Sequence, residues 1–255
     1  MSEIRLPTVS VVTTVLNGRQ TVEFAIQSVL SQSHKDVEYI VVDGGSTDGT
    51  LDIIDRYKDR ISKFLSEPDR GIYDGMNKGI RLASGEVVGI LNSDDSYASS
   101  EAIEVVARTM QERNVDVCWG DLVYVDAEDT DRIVRCWKSS EYAEGKFKRG
   151  WMPPHPTFFV RRWVYDEYGA FNLGFSIAAD YELMLRFVEK HRVRSAYVPQ
   201  TLVKMRVGGK SNKSIGNVVA ANLECYRAWK ANGLRICPLR ILLKPLSKAT
   251  QFIGR

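Results

Sequence analysis

The stretch SGEVVGILNSDD (residues 84–95) decides the fold. Its centre, residues 87–91, is a short unbroken apolar run, as expected of a strand buried on both faces of a parallel sheet. Ser84-Gly85 in front of it reads as the end of a helix. Behind it come Asn92, Ser93 and two adjacent aspartates, Asp94 and Asp95. Ligands of open α/β sheets gather outside the carboxyl ends of the strands, so this polar tip is the first place to look for chemistry.

Upstream the same alternation repeats. Residues 9–13 and 39–42 are β-branched or apolar strand runs, and residues 61–65 form a shorter one. Val22, Ala25, Ile26, Val29 and Leu30 fall on one face of a helix, as do Ile72, Met76, Ile80 and Ala83. Asp48 is placed to cap a helix carrying Leu51 and Ile54. Downstream, a helix through Ala102, Val105, Val106 and Met110 precedes a fifth strand at 115–119. The expected class is α/β, a mostly parallel sheet flanked by helices with right-handed crossovers.

Beyond Gly120 the pattern changes. Residues 123–125 and 133–137 read as antiparallel strands, 151–156 as a loop, and 157–160 as another strand. A helix over 179–190, short strands at 196–198 and 202–205, and a last helix through Val219, Leu223 and Tyr226 complete the pattern. One domain over 1–225 is expected, with a nucleotide-binding half at 8–97, a smaller, partly antiparallel acceptor half at 98–210, and a separate tail at 226–255.

Composition excludes disorder and fibrous classes. No stretch reaches the roughly 18 apolar residues of a spanning helix, no secretory signal precedes the first strand, and four scattered cysteines form no CxxC pair. The expectation is a cytoplasmic protein with reduced thiols and no nucleic-acid partner. Seven basic residues and no acidic one follow Glu224; taking them from the overall +3 leaves residues 1–224 at −4. Residues 234–255 mix these cations with leucine, isoleucine and phenylalanine, a composition that suits an anionic membrane surface and equally a packed or solvated basic tail.

Adjacent carboxylates repel unless a cation or hydrogen-bond donors neutralise them. Magnesium and manganese are commonly held by one or two carboxylates plus substrate phosphates, so Asp94-Asp95 suits a metal–diphosphate complex; a turn with a capping aspartate is the competing reading. Thr14 and Asn17 lie in the polar loop after the first strand, and Asp43 follows the second. Asp43 is placed to meet a base or ribose, or simply to shape a turn with Gly44-Gly45. Arg70, before a helix start, can pair with a diphosphate or with a neighbouring acid. Asp180, opening the 179–190 helix, is either an N-cap or a general base for an acceptor hydroxyl. No P-loop and no GxGxxG fingerprint occurs.

Five segments in order, VSVVTTVLNG (9–18), VVDGGSTDGT (41–50), DRGIYDGMNKGI (69–80), SGEVVGILNSDD (84–95) and FSIAADYELMLR (175–186), resemble family 2 glycosyltransferases. The likeness runs over about residues 8–210 and looks nearest to bacterial members that build surface polysaccharides and lipid-linked glycans. It implies the GT-A fold and inverting transfer of a hexosyl-type sugar, most commonly from a UDP-sugar, to a glycan or lipid-linked glycan acceptor, with Mn or Mg as cofactor; a membrane-bound acceptor would give the basic tail a purpose, as a peripheral contact with the inner face of the membrane. Thr14 and Asp43 would contact the base, Arg70 the nucleotide or diphosphate, and Asp94 the ribose or donor sugar. Asp95 would bind the metal, and Asp180 would be the catalytic base. Ser93 stands where a strict DXD motif has its first Asp, and Ala179 where the commoner motif has an acid, which blurs donor preference. His155, between two prolines, can assist metal or acceptor, and Lys210, in a glycine-containing basic loop, can close over the diphosphate; each has an ordinary structural reading as well. A sugar-1-phosphate nucleotidyltransferase and a non-catalytic nucleotide-sugar or glycan-binding module are the alternatives.

Overall fold

Strand β1 (Val9–Val15) is buried along its whole length and lies between two parallel neighbours, β2 (Val37–Asp43) and β4 (Val87–Ile90). The computed structural model describes residues 5–208 and 215–236. Strand β3 (Lys63–Ser66) adds to the outer edge of β2, again parallel. The helices between them are α1 (Val22–Leu30), α2 (Thr50–Asp55) and α3 (Ile72–Leu82). The register puts Val15, Asp43 and Ser66 in one row at the carboxyl edge, where the loops that the sequence marks as polar emerge.

Alternating residues of each strand feed two cores. Val12, Ile40, Val42 and Val88 face Met76 and Ile80 of α3, whereas Val11, Tyr39, Val41 and Val87 face Val22, Ala25 and Ile26 of α1. Such two-sided burial is why these strands read as continuous apolar runs. Helix α3 sits so close to β1 that a Cβ on Gly79 would overlap Val12 Cγ1.

Past β4 the sheet continues through strands remote in sequence, in the order β3-β2-β1-β4-β8-β6-β9-β5 with β7 beside β6. These strands are β5 (Asp95–Tyr97), β6 (Val117–Val125), β7 (Ile133–Trp137), β8 (Phe159–Arg161) and β9 (Ser195–Arg206). Helix α4 (Ala102–Glu112) packs on the same face as α1. Strand β8 pairs antiparallel with both β4 and β6, so the expected fifth parallel strand is not next to β4; its parallel partner is β9.

Several expected boundaries merge. Residues 117–119 and 123–125 belong to one strand that runs through Gly120, and 196–198 and 202–205 to another. The ladder between them shifts register at Gly120 and Asp121, where Val198 and Thr201 are successive partners and Pro199-Gln200 bulge out. Proline has no N–H for a ladder, so a bulge accommodates it.

Strand β5 and helix α5 (Arg162–Tyr168) were not expected from the sequence. The 179–190 helix is α6 (Ala179–Met184) followed by a wider π-type turn at Leu185–Lys190. The last helix, α7 (Ile215–Ala231), packs against α6 with Trp229 and Cys225 in the core. Cys118 and Cys225 are buried and Cys136 is exposed. Among the described residues no helix is long and apolar enough to cross a membrane.

Candidate active site

The loops after β1 and β2 are sewn together by their own side chains. Asn17 holds a left-handed φ of 52°. Its N–H donates to Ser46 Oγ at 2.8 Å, and its Oδ1 accepts from the Thr47 N–H at 2.9 Å. Gly18 donates to Thr50 Oγ1, and Arg19 to Asp48 Oδ2. Asp48 also accepts from the Thr50 N–H, which opens α2, while Gly49 in the left-handed region takes the cap position itself. A shallow cleft of about 390 Å³ lies against Asn17, Gly18, Arg19 and Asp48.

Asp43 is fully buried. Its Oδ2 accepts from Gly45 N–H, Ser46 N–H and Ser66 Oγ at 3.0, 3.0 and 2.8 Å, while Oδ1 takes only a 3.3 Å bond from Ser46. The carboxylate therefore shapes the turn and keeps one oxygen lightly used. Beside it, Thr14 is 5% exposed and its hydroxyl has no hydrogen-bond partner among the described residues.

The tip of β4 carries the sharpest electrostatic feature. Asp95, 2% exposed, opens β5 and pairs with Met205 of β9. Asn92 Nδ2 donates to its Oδ2 at 3.0 Å, but Asp95 Oδ1 and Asn92 Oδ1 are buried without a hydrogen-bond partner among the described residues. Burial first, and the neighbouring Asp94 charge second, push the Asp95 carboxyl well above its ordinary range. An anionic site with unfilled oxygens beside a second carboxylate fits a hard divalent cation. No group of three or more His, Cys, Asp or Glu side chains poised for a metal occurs among the described residues; two carboxylates suffice when phosphates complete the shell.

Helix α3 joins this edge to the second half of the site. Gly71, with φ 111°, starts it, and the backbone N–H and guanidinium of Arg70 both meet Asp74. The Arg70 side chain is otherwise 80% exposed. A Cβ on Gly75 would lie 3.3 Å from Thr14 Cγ2, so α3 lies against the end of β1. Two residues earlier, the Tyr73 hydroxyl donates to Ile177 O at 2.7 Å and stands 3.4 Å from Asp180 Oδ1. Burial, then the Asp180 charge, push the Tyr73 phenol far up, so it remains a neutral donor.

The other oxygen of Asp180 meets His155 Nδ1 at 3.4 Å. A neutral Nδ1–H or an imidazolium can donate there. Asp180 opens α6 with no side-chain cap bond, so the N-cap reading gives way to a carboxylate held between a phenol and an imidazole. Lys210 lies outside the described residues, as do residues 237–255 of the basic tail.

Comparison with known proteins matches the chain over residues 10–169 to the family described as glycosyl transferase family 2. The chain belongs to that family. The PGL/p-HBAD biosynthesis glycosyltransferase of Mycobacterium bovis is 28% identical over 218 residues, covering 81% of this chain and 80% of its own. The S. aureus TarS fragment 1–349, solved with UDP, superposes with a TM-score of 0.67 at 18% identity, over 96% of this chain and 72% of that one. The mannosyltransferase PcManGT of Pyrobaculum calidifontis, solved with GDP-Man and Mn2+, gives 0.66 at 17% identity, over 97% and 70%. These two likenesses carry the GT-A glycosyltransferase fold.

The family 2 match stops before Asp180 and α7, yet the geometry joins both to it. Sequence reading passed over three residues. Tyr73 lay inside a motif as an ordinary aromatic, and Asn92 preceded the aspartates as a turn residue. Glu224 entered only as the last acid before the basic tail, but it is buried against the residues just before α6.

Proposed function

We propose that this glycosyltransferase uses a divalent cation, Mn or Mg, to hold a nucleoside diphosphate sugar and transfers its hexosyl-type sugar with inversion to an acceptor hydroxyl. The observation that carries the reading is the buried Asp95 carboxylate, with one oxygen unfilled and Asp94 beside it, at the edge where three glycine-containing loops converge. Asp95 and Asp94 would hold the cation and the ribose or donor sugar. Thr14, Asn17 and Asp43 would receive the base side of the nucleotide, and the exposed guanidinium of Arg70 would reach the diphosphate. A cation bound there supplies charge neutralisation for the departing diphosphate.

Asp180 would take the acceptor proton as the acceptor oxygen bonds to the anomeric carbon and the bond to the diphosphate oxygen breaks. Tyr73 and His155 hold the two carboxylate oxygens in place. Attack from the side opposite the leaving group inverts the anomeric centre. The TarS and PcManGT complexes with UDP and GDP-Man support a nucleotide-sugar donor, UDP-linked as first choice. The PGL/p-HBAD and teichuronic acid biosynthesis glycosyltransferases among its relatives support an acceptor in polysaccharide or lipid-linked glycan assembly. A peripheral membrane contact through the basic tail belongs to the same reading.

The test is thermal unfolding against UDP-glucose, UDP-N-acetylglucosamine, UDP-galactose and GDP-mannose, each with and without MnCl2. One donor should stabilise the protein in a manganese-dependent way and release nucleoside diphosphate rather than pyrophosphate. No manganese-dependent stabilisation by any of them would remove the proposal.

A further inference from the structure

We infer that Glu224, on the C-terminal helix, is a positioning residue for Asp180. The inference rests on Asp180 being the base. Glu224 lies 44 positions downstream of Asp180 in sequence and is 9% exposed. Its Oε1 accepts from the Ser176 N–H at 2.9 Å, and its Oε2 from the Ile177 and Ala178 N–H groups at 2.8 Å each. Three consecutive backbone donors thus converge on one carboxylate in the three residues that lead into α6. Hydrogen bonds to an ionised group are about twice as strong as neutral ones, and a nest of successive N–H groups is an anion-binding concavity.

The contact is directional. Ile177 is gripped on both sides, its N–H by Glu224 and its C=O by the Tyr73 hydroxyl. That hydroxyl in turn stands against Asp180. Glu224 therefore fixes the peptide from which Tyr73 takes its own orientation. Two further bonds, one from α7 and one from the residue after it, bracket the start of α6. Trp229 Nε1 donates to Tyr181 Oη at 2.9 Å, and Asn232 Nδ2 to Glu182 Oε1 at 3.0 Å. No catalytic atom of Glu224 faces the nucleotide loops; it acts through the backbone of 176–178.

Removing the charge while keeping the shape isolates this role. Glu224→Gln offers one carbonyl to three donors, so the segment relaxes and Asp180 loses its aim. A misplacement of about 1 Å can cost on the order of a hundredfold in rate, so kcat should fall roughly tenfold to a hundredfold. The assay is release of UDP from UDP-N-acetylglucosamine, or of GDP from GDP-mannose, with manganese and water as acceptor, well below the unfolding midpoint. Donor binding by calorimetry should stay within about twofold, because the nucleotide loops are untouched. Amide exchange at residues 176–178 should speed up at least tenfold. In an Asp180→Asn background the same substitution should cost nothing further. Glu224→Asp, which keeps the charge but withdraws it by one methylene, should show the same pattern and serves if the glutamine variant fails to fold.

A fall in donor affinity in step with kcat, or additive losses in the double variant, would make Glu224 a general fold support and overturn the inference. A dead Asp180→Asn beside a fully active Glu224→Gln would overturn it alone. Wild-type turnover in Asp180→Asn would remove the base, and the inference with it.

Discussion

Replacing Asp95 by asparagine should make the metal-free protein more stable while abolishing its response to manganese. In the free chain this carboxylate is 2% exposed and sits beside Asp94; Asn92 and the Arg206 backbone only partly offset its burial, and its Oδ1 has no hydrogen-bond partner among the described residues. An orphaned buried polar atom costs about 1–3 kcal/mol, and here the group also carries charge in a like-charged setting. Asparagine keeps the shape and the bond from Asn92 but removes the charge. Relief of about 1–2 kcal/mol follows, a rise in Tm of roughly 2–8 °C for a chain of this size. The sign of the pH dependence follows from the raised carboxyl of Asp95. The folded state holds this proton more tightly than the unfolded chain, so metal-free wild type loses stability as pH climbs from about 4. The variant escapes that loss, and its advantage should widen with pH and vanish in acid. The assay is thermal unfolding in EDTA from pH 4 to 8, repeated with MnCl2 and donor. Identical midpoints in EDTA at pH 7 would show that Asp95 is not electrostatically isolated. A manganese-dependent shift surviving in the variant would refute its role as ligand.

Three further outcomes are expected. Gly79→Ala drives a methyl into Val12 Cγ1 beneath α3 and should cost about 1–3 kcal/mol, read as a lower Tm in differential scanning calorimetry. Burial pushes the Glu38 carboxyl up, but its ion pair with Lys63 and hydrogen bonds from Ser10 and Ser84 outweigh this and hold it at about 2. The stability that Glu38 contributes is present above its ordinary value of 4.5 and fades as pH falls toward about 2, so the gap between wild type and Glu38→Gln in urea titrations should close over that window. Tyr73→Phe removes the hydroxyl that ties Ile177 O to Asp180; turnover should drop roughly tenfold with donor affinity unchanged, as steady-state kinetics and calorimetry will report.

The first half of the fold was legible because β1, β2 and β4 are buried on both faces and the helices on one, so apolar period and element coincide. That correspondence failed at Asp95-Ser96-Tyr97, a three-residue strand too short and polar to carry a pattern, and at Gly120-Asp121 and Pro199, where long strands pass through residues that normally end them. Helix α5 was hidden by its seven-residue length. Of the site, the aspartates announced themselves by standing at strand tips. The approach of His155 to Asp180, 25 positions apart, depends on how 3-10 turn 155–157 and α6 pack, which no local spacing encodes. Glu224 was invisible for a different reason: a carboxylate on a helix gives no sign in sequence that the backbone of another segment will be its partner.

The placement of β5 has a consequence for engineering. In sequence it closes the half expected to bind the donor, yet among the described residues its ladder is to β9, the last strand of the other half. A chimera spliced between the two halves at residue 97 would therefore ask a foreign β9 to seat the rung opposite Asp95. Swapping acceptor preference among relatives should succeed by exchanging surface connections while leaving that pair of strands from one parent.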